Sequence, residues 1–136
     1  MSRVRIPPSL KFNMIQPQTN LQSIDNSGAN IAQCIKLLKG SFRRFSYSGD
    51  YIIVSVKKIR FVRKVQKGQV HLGLIARTKK ETSFKDGSSS YFGTNSLILL
   101  NKKKRLIGTR IFGYVSRNLR QKKFMRILLI CGQRII

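Results

Sequence analysis

GDYIIVSVK at residues 49–57 decides the fold. Beyond the Gly49-Asp50 turn, Ile52, Val54 and Val56 fall on one side of an extended chain and Tyr51, Ser55 and Lys57 on the other. That period of two marks a half-buried strand. Residues 69–79 repeat it, with Val70, Leu72, Leu74 and Ala76 expected inward and His71, Arg77 and Lys79 outward. Ile53 and Ile75 interrupt the polar faces, which implies that another element covers part of the outer surface.

Upstream, residues 18–25 lead into Asn26-Ser27-Gly28, where Gly28 can supply a positive φ and Asn26 can bond its own backbone. The apolar run IAQCIKLL at 31–38 follows, so the two segments read as a hairpin. Turn residues recurring at intervals of about ten point to a small all-β barrel or sandwich. Downstream, the Asp86-Gly87 turn between residues 80–85 and Tyr91-Phe92 predicts a projecting ribbon, and residues 97–100 predict a strand ending at Asn101. After Arg105 the period changes. Phe124, Ile127, Leu128 and Cys131 share a helical face, and Ser116 is placed to cap a short helix through Arg120. The reading is mainly β: a small β-barrel with a projecting β-ribbon and two short C-terminal helices. Residues 14–136 form a single domain behind a basic extension at residues 1–13.

The chain has 136 residues, enough for one domain with one real core. Its 28 Lys and Arg face four acids, Asp25, Asp50, Glu81 and Asp86, and 28 − 4 leaves 24 cations without an internal counter-charge. A soluble small domain usually carries a net charge of magnitude ~2–8, so a polyanionic partner is implied. Other classes fall away. Cys34 and Cys131 lack CxxC spacing and His71 is the lone histidine, so no metal site is predicted, and each cysteine reads as a buried free thiol. The scattered acids offer no carboxylate pair and no nucleophile motif is present. The chain is expected not to be an enzyme and to need no cofactor. No apolar run approaches the ~20 residues of a membrane span. Residues 1–13 hold Arg3, Arg5 and Lys11 without an acid, but Pro7 and Pro8 break the helix that an organelle-targeting segment needs. They read as an RNA-contacting arm or an uncleaved address.

The cations recur in nearly every connection instead of forming one block. FRRFSY at 42–47 interleaves Phe42, Phe45 and Tyr47 with Arg43 and Arg44: the aromatics either stack on bases while the arginines clamp phosphate, or tuck into the barrel mouth. KKIRFVRKVQK at 57–67 contributes Lys57, Lys58, Arg60, Arg63, Lys64 and Lys67. RTKK adds Arg77, Lys79 and Lys80, KKKR adds Lys102, Lys103, Lys104 and Arg105, and Arg117 and Arg120 follow in the helical tail. Apart from Arg60, these are the candidate RNA-binding residues. Such a distribution suits a protein embedded among several RNA helices and recognising shape and phosphate, with steep salt dependence. A free module that coats single strands would instead concentrate aromatics on one face, which only FRRFSY suggests.

From Met14 to about Ile130 the chain resembles the universal large-subunit ribosomal protein fourteen family. The matching segments, in order, are QTNLQSIDNSGA (18–29), CIKLLKGS (34–41), GDYIIVSVK (49–57), VQKGQV (65–70), RTKK (77–80), DGSS (86–89), LILLN (97–101), GTRIFG (108–113) and KFMRI (123–127). The resemblance implies a five-stranded barrel and a structural role in the large ribosomal subunit. It also implies binding to large-subunit rRNA near the subunit interface, contact with neighbouring ribosomal proteins, and support of bridges to small-subunit rRNA. In the family GTRIF forms part of the surface bound by the ribosome silencing factor, so Thr109 and Arg110 inherit that expectation. Departures are Tyr114 for the family's Pro, Asn118 for Glu, Gln69 for Asp and Gly93 for Asp. Three of the four remove an acid, and the CGQRII ending also departs. This acid-poor drift points to an organellar ribosome, mitochondrial first and plastid as the alternative.

Overall fold

The structure is a computed structural model that describes residues 15–38, 45–61, 64–79, 82–83, 87, 89–90, 92–117, 119 and 125–131. Its strands are β1 (Asn20–Ser23), β2 (Ala29–Leu37), β3 (Tyr51–Ile59), β4 (Val70–Arg77), β5 (Thr82–Ser83), β6 (Ser89–Ser90) and β7 (Ser96–Leu100), followed by helix α1 (Met125–Cys131). Five of the strands close a barrel in the order β1-β2-β3-β4-β7. The neighbours are antiparallel except at the seam, where β1 and β7 run parallel through Gln22↔Ser96 and Ser23↔Leu97. The expected ribbon stands as a separate pair, with Thr82 opposite Ser90 and Ser83 opposite Ser89. At its tip Gly87 takes φ 87°.

β3 is the strand its sequence predicts: Ile52, Val54 and Val56 are wholly buried. They meet Leu21, Cys34, Ile75, Leu97 and Leu99 inside the barrel. Each such side chain contributes about 1.5–3 kcal/mol by leaving water. β2 does not alternate, since Ala29, Ala32, Cys34 and Leu37 all join that interior. Register shifts against β3 between Ala29 and Ala32 and between Cys34 and Lys36 account for it, each bulge resetting which residues face in and adding the bend a small barrel needs. Cys34 is a free buried thiol, pushed by burial from an ordinary 9.0 to about 11.

β4 corrects the facing predicted for it. Its register sets Gly73 opposite Ile52 and His71 opposite Val54, so these residues and Ile75 share the interior side. Leu74 and Ala76 are buried on the outer side, in a second core with Ile98, Leu100, Ile111, Val115, Leu119, Ile127 and Leu128. Leu72 packs against that core, while Val70 at the strand's start is exposed. His71 therefore turns toward the barrel end, half-buried. Desolvation holds its pKa below the usual value, the Asp25 charge opposing. The expected covering element exists as the segment after residue 105, but it packs on Leu74 and Ala76, whereas Ile75, one of the two residues that suggested it, faces the interior. The segment's contact with β4 makes both faces apolar, which removes the contrast a period-two reading needs.

Two C-terminal helices were expected; among the described residues one stands, α1. Ile127 and Leu128 are its buried positions and Leu129 and Ile130 its exposed ones, in line with the predicted face, while Phe124 lies outside the described residues. Ahead of it, Leu119 is helical and its N–H donates to the Ser116 carbonyl at 3.2 Å. Asn118 and Arg120 lie outside the described residues.

Candidate nucleic-acid interface

Two sequence motifs far apart in the chain meet at one side of the barrel. Gly28 takes φ 106° in the turn between β1 and β2. Asn26 in that turn uses its whole amide: Oδ1 accepts from Thr109 N–H at 2.6 Å and Arg110 N–H at 3.0 Å, while Nδ2 donates to Thr109 Oγ1 at 2.9 Å. The backbones join on either side, through Asn26 N–H to the Arg110 carbonyl and Phe112 N–H to the Ile24 carbonyl. Gly108 makes the approach possible, because a Cβ there would lie 2.8 Å from Asn26 Oδ1 and 3.0 Å from Asp25 Cβ. Asp25, 3 % exposed, accepts from Ser23 Oγ, Ser27 Oγ and Leu99 N–H at 2.6, 2.7 and 3.2 Å. That acid is occupied in the scaffold and does not neutralise the surface. Thr109 and Arg110 thus have fixed backbones and exposed side chains.

The loop after β3 is tied to the same turn. Arg60 N–H donates to the Gly28 carbonyl and Lys64 N–H to that of Ser27. Lys64 Nζ donates to the Ile107 carbonyl at 2.9 Å, bridging the loop to the GTRIFG segment. Arg60, which the candidate set omitted, and Lys64 therefore stand beside Arg110. Phe61 and Phe112, each 46 % exposed, line the same cleft. The local signals were arginine next to or near phenylalanine, at Arg60-Phe61 and Arg110-Ile111-Phe112; only their convergence was hidden.

Lys102, Lys103, Lys104 and Arg105 are presented by a turn that Asn101 organises. Asn101 Oδ1 accepts from the amides of Lys103 and Arg105, at 2.9 and 3.0 Å, and its backbone N–H donates to the Arg105 carbonyl. Lys104 takes φ 63° there. Asn101 belongs to the site as its organiser, and an Asn bonding backbone groups a few residues on is the signal that finds it. Lys104 Nζ lies 4.7 Å from the centre of the Tyr51 ring, which packs against the outer core. Because β3 and β7 both run antiparallel to β4, with Leu72 opposite both Ile53 and Leu100, the chain leaves β7 at the end where β3 finishes, so residues 102–105 share that end with the exposed Lys57 and Lys58. The opposite end carries Lys79, just past the end of β4, and Arg117, next to Ser116 whose N–H donates to the Ala76 carbonyl, so cations occupy both ends of the barrel.

Lys67 and Lys79 are exposed, the first in the Gly68 turn and the second beside Asn95, whose Oδ1 accepts the Lys79 N–H at 2.8 Å. Gln69 caps that first turn by accepting the Gln66 N–H on Oε1 at 3.1 Å, so this departure from the family pattern keeps an acceptor and drops the charge. Arg117 is exposed too. Arg77 differs, being half-buried with Nε on Ser96 Oγ at 3.0 Å and Nη1 on the Tyr114 carbonyl at 3.3 Å. Burial lowers its pKa. It braces β4 against β7 and the Gly113 turn. Arg43, Arg44, Arg63, Lys80 and Arg120 lie outside the described residues. Among the described residues no three His, Cys, Asp or Glu are grouped to hold a metal ion, and no helix is long and apolar enough to cross a membrane.

A closed five-stranded barrel with cations at both ends, and a DNSGA turn locked to GTRIFG, is the frame against which relatives can be compared. The family described as ribosomal protein L14p/L23e matches residues 14–135.

Proposed function

The chain belongs to the ribosomal protein L14p/L23e family, and from that membership we propose that it holds large-subunit rRNA near the subunit interface. It is a structural protein of the large ribosomal subunit. In this reading it packs against neighbouring large-subunit proteins and supports bridges to small-subunit rRNA during translation. The observation that carries the proposal is the placement of cations at opposite ends of one barrel, Lys57, Lys58 and residues 102–105 at one and Lys79 and Arg117 at the other. A single nucleic-acid groove would need one charged face, whereas a wedge between rRNA segments needs several. Lys64 and Lys67 extend the contact. Arg43, Arg44, Arg63, Lys80 and Arg120 join by sequence, and Arg77 contributes mainly by bracing. Residues 1–13 add a basic arm.

The acid-poor sequence favours an organellar ribosome, mitochondrial before plastid. Thr109 and Arg110, fixed by Asn26 with their side chains outward, are the residues a ribosome silencing factor would meet. Sedimentation through a salt series tests the main reading. The protein is expected to travel with large subunits at moderate salt and leave them at high salt, as counterion release requires. Sedimentation free of subunits at moderate salt would overturn it. Fractionation that placed the protein in plastids or cytosol would remove the mitochondrial assignment alone.

A further inference from the structure

Between the loop after β3 and the GTRIFG segment lies an open cleft of about 720 Å³. Its floor is the turn Asp25 to Gly28, to which both walls are hydrogen-bonded through Arg60, Lys64, Thr109 and Arg110. Three cations, Arg60, Lys64 and Arg110, line it together with Phe61 and Phe112. The lining acid, Asp25, has its carboxylate engaged by Ser23, Ser27 and Leu99. Arg60 Nε meets Asn30 Oδ1 at 3.4 Å, a contact that uses one of the five N–H groups a guanidinium carries.

A lone half-exposed Phe needs no explanation. Two in one basic cleft, on walls fixed to one floor, are a different matter. A paired RNA helix offers phosphates and ribose edges but keeps its base faces stacked, whereas an unpaired base has a face that an aromatic ring can cover. Every base has such a face, so the contact tolerates sequence. The cleft volume lies within the roughly 300–1,000 Å³ typical of small-ligand sites, suited to one nucleotide and its flanking phosphates.

We propose that this cleft holds an unpaired nucleotide of single-stranded RNA, its base against Phe61 or Phe112 and its flanking phosphates on Arg60 and Arg110. The proposal rests on the RNA-binding reading above and names the RNA element taken at this place. An acidic protein segment would satisfy the arginines but would cover the rings only where it also carried aromatic side chains, whereas every nucleotide brings both a phosphate and a base face, so RNA is the better fit.

The test uses the full-length protein, a single-stranded RNA decamer with a central 2-aminopurine, and an RNA duplex of equal length. Phe61→Leu with Phe112→Leu should weaken decamer binding about tenfold or more and abolish the 2-aminopurine fluorescence change. Duplex affinity should stay the same. Phe61→Tyr with Phe112→Tyr should keep decamer binding, which separates loss of stacking from loss of folding, and matching thermal melts would verify it independently. Arg60→Gln with Arg110→Gln should flatten the decamer's salt slope by about 1.4, at ~0.7 per phosphate. Unchanged decamer binding by the Leu variant, or equal losses on decamer and duplex, would overturn the inference. So would displacement of the decamer by a glutamate-rich peptide without any initial 2-aminopurine response. If the wild type binds neither RNA and does not sediment with subunits, the broader reading fails; if duplex binding persists and only the phenylalanine effect is missing, the cleft assignment alone fails.

Discussion

Asn26 Oδ1 accepts hydrogen bonds from both Thr109 N–H and Arg110 N–H, at 2.6 and 3.0 Å, across 83 and 84 residues of chain. One side chain therefore joins the turn between β1 and β2 to the segment that covers the outside of the barrel. Asn26→Ala should destabilise the fold by about 1–3 kcal/mol, because two amides lose their acceptor and net hydrogen bonds contribute ~0.5–1.5 kcal/mol each. Asn26→Asp keeps an acceptor for both amides and should lose less. Urea unfolding of the two variants checks this, and an alanine variant with the wild-type midpoint would contradict it.

Two glycines should respond in opposite ways. A Cβ at Gly108 would sit 2.8 Å from Asn26 Oδ1 and 3.2 Å from Asn26 N, so Gly108→Ala should cost about 1–3 kcal/mol by forcing the junction apart. At Gly73 the nearest atoms to a new Cβ are Val54 and Ile52 side-chain carbons at 3.5 and 3.6 Å. Those are ordinary contacts inside the barrel, and Ala lowers the entropy of the unfolded chain, so Gly73→Ala should be neutral or stabilising by up to about 1 kcal/mol. Thermal melts of the pair give the comparison directly.

Burial of Cys34 should be visible as slow chemistry. With its thiol pushed up to about 11, little thiolate exists at pH 8, and thiolate is the reactive form. In a Cys131→Ser background, iodoacetamide should label native Cys34 at least about tenfold more slowly than the urea-unfolded chain. The linked stability effect has a definite sign. The folded state keeps its proton between 9.0 and about 11, so this contribution is complete below pH 9 and falls as pH rises toward 11. Tyr51, also raised by burial, acts in the same direction. The difference between wild type and Cys34→Ala across that window isolates the thiol, and a difference independent of pH would rule it out.

The turn at 102–105 separates binding from stability. Lys102→Gln, Lys103→Gln and Arg105→Gln together should flatten the salt dependence of rRNA binding by about 2–3 units, at ~0.7–0.9 per phosphate contact, with little change in melting. Lys104→Gln should instead lose about 0.5–1 kcal/mol of stability through its contact with Tyr51. Salt-titrated filter binding alongside melts resolves the two. An unaltered slope in the triple variant would mean that these side chains do not reach RNA.

Much of the architecture was readable because it depends on local features. β3 alternates, Gly28, Gly49 and Gly87 take positive φ where turns were expected, and Asn101 ends β7. β4 was not readable in the same way, since Leu74, Ile75 and Ala76 are all buried but belong to two different cores. Of the candidate site, the clusters were legible and their uses were not. Arg77 carries the same charge as Lys79, yet its guanidinium is bonded within the fold. Arg60, Phe61 and Phe112 show no pairing signal in sequence, because the walls they occupy are brought together only when the barrel closes.

By itself the sequence determined the class of partner and the kind of fold. An excess of 24 cations persists in any conformation, and period two with spaced glycines restricts the backbone residue by residue. Tertiary structure decided where that charge is presented, which face of β4 meets which core, and that Asn26 fastens Thr109 and Arg110 into one wall of a basic, aromatic cleft. Those outcomes depend on contacts between residues distant in sequence, 83 and 84 positions apart at the Asn26 junction, and such contacts form only when closure of the sheet offsets the entropy of bringing distant segments together.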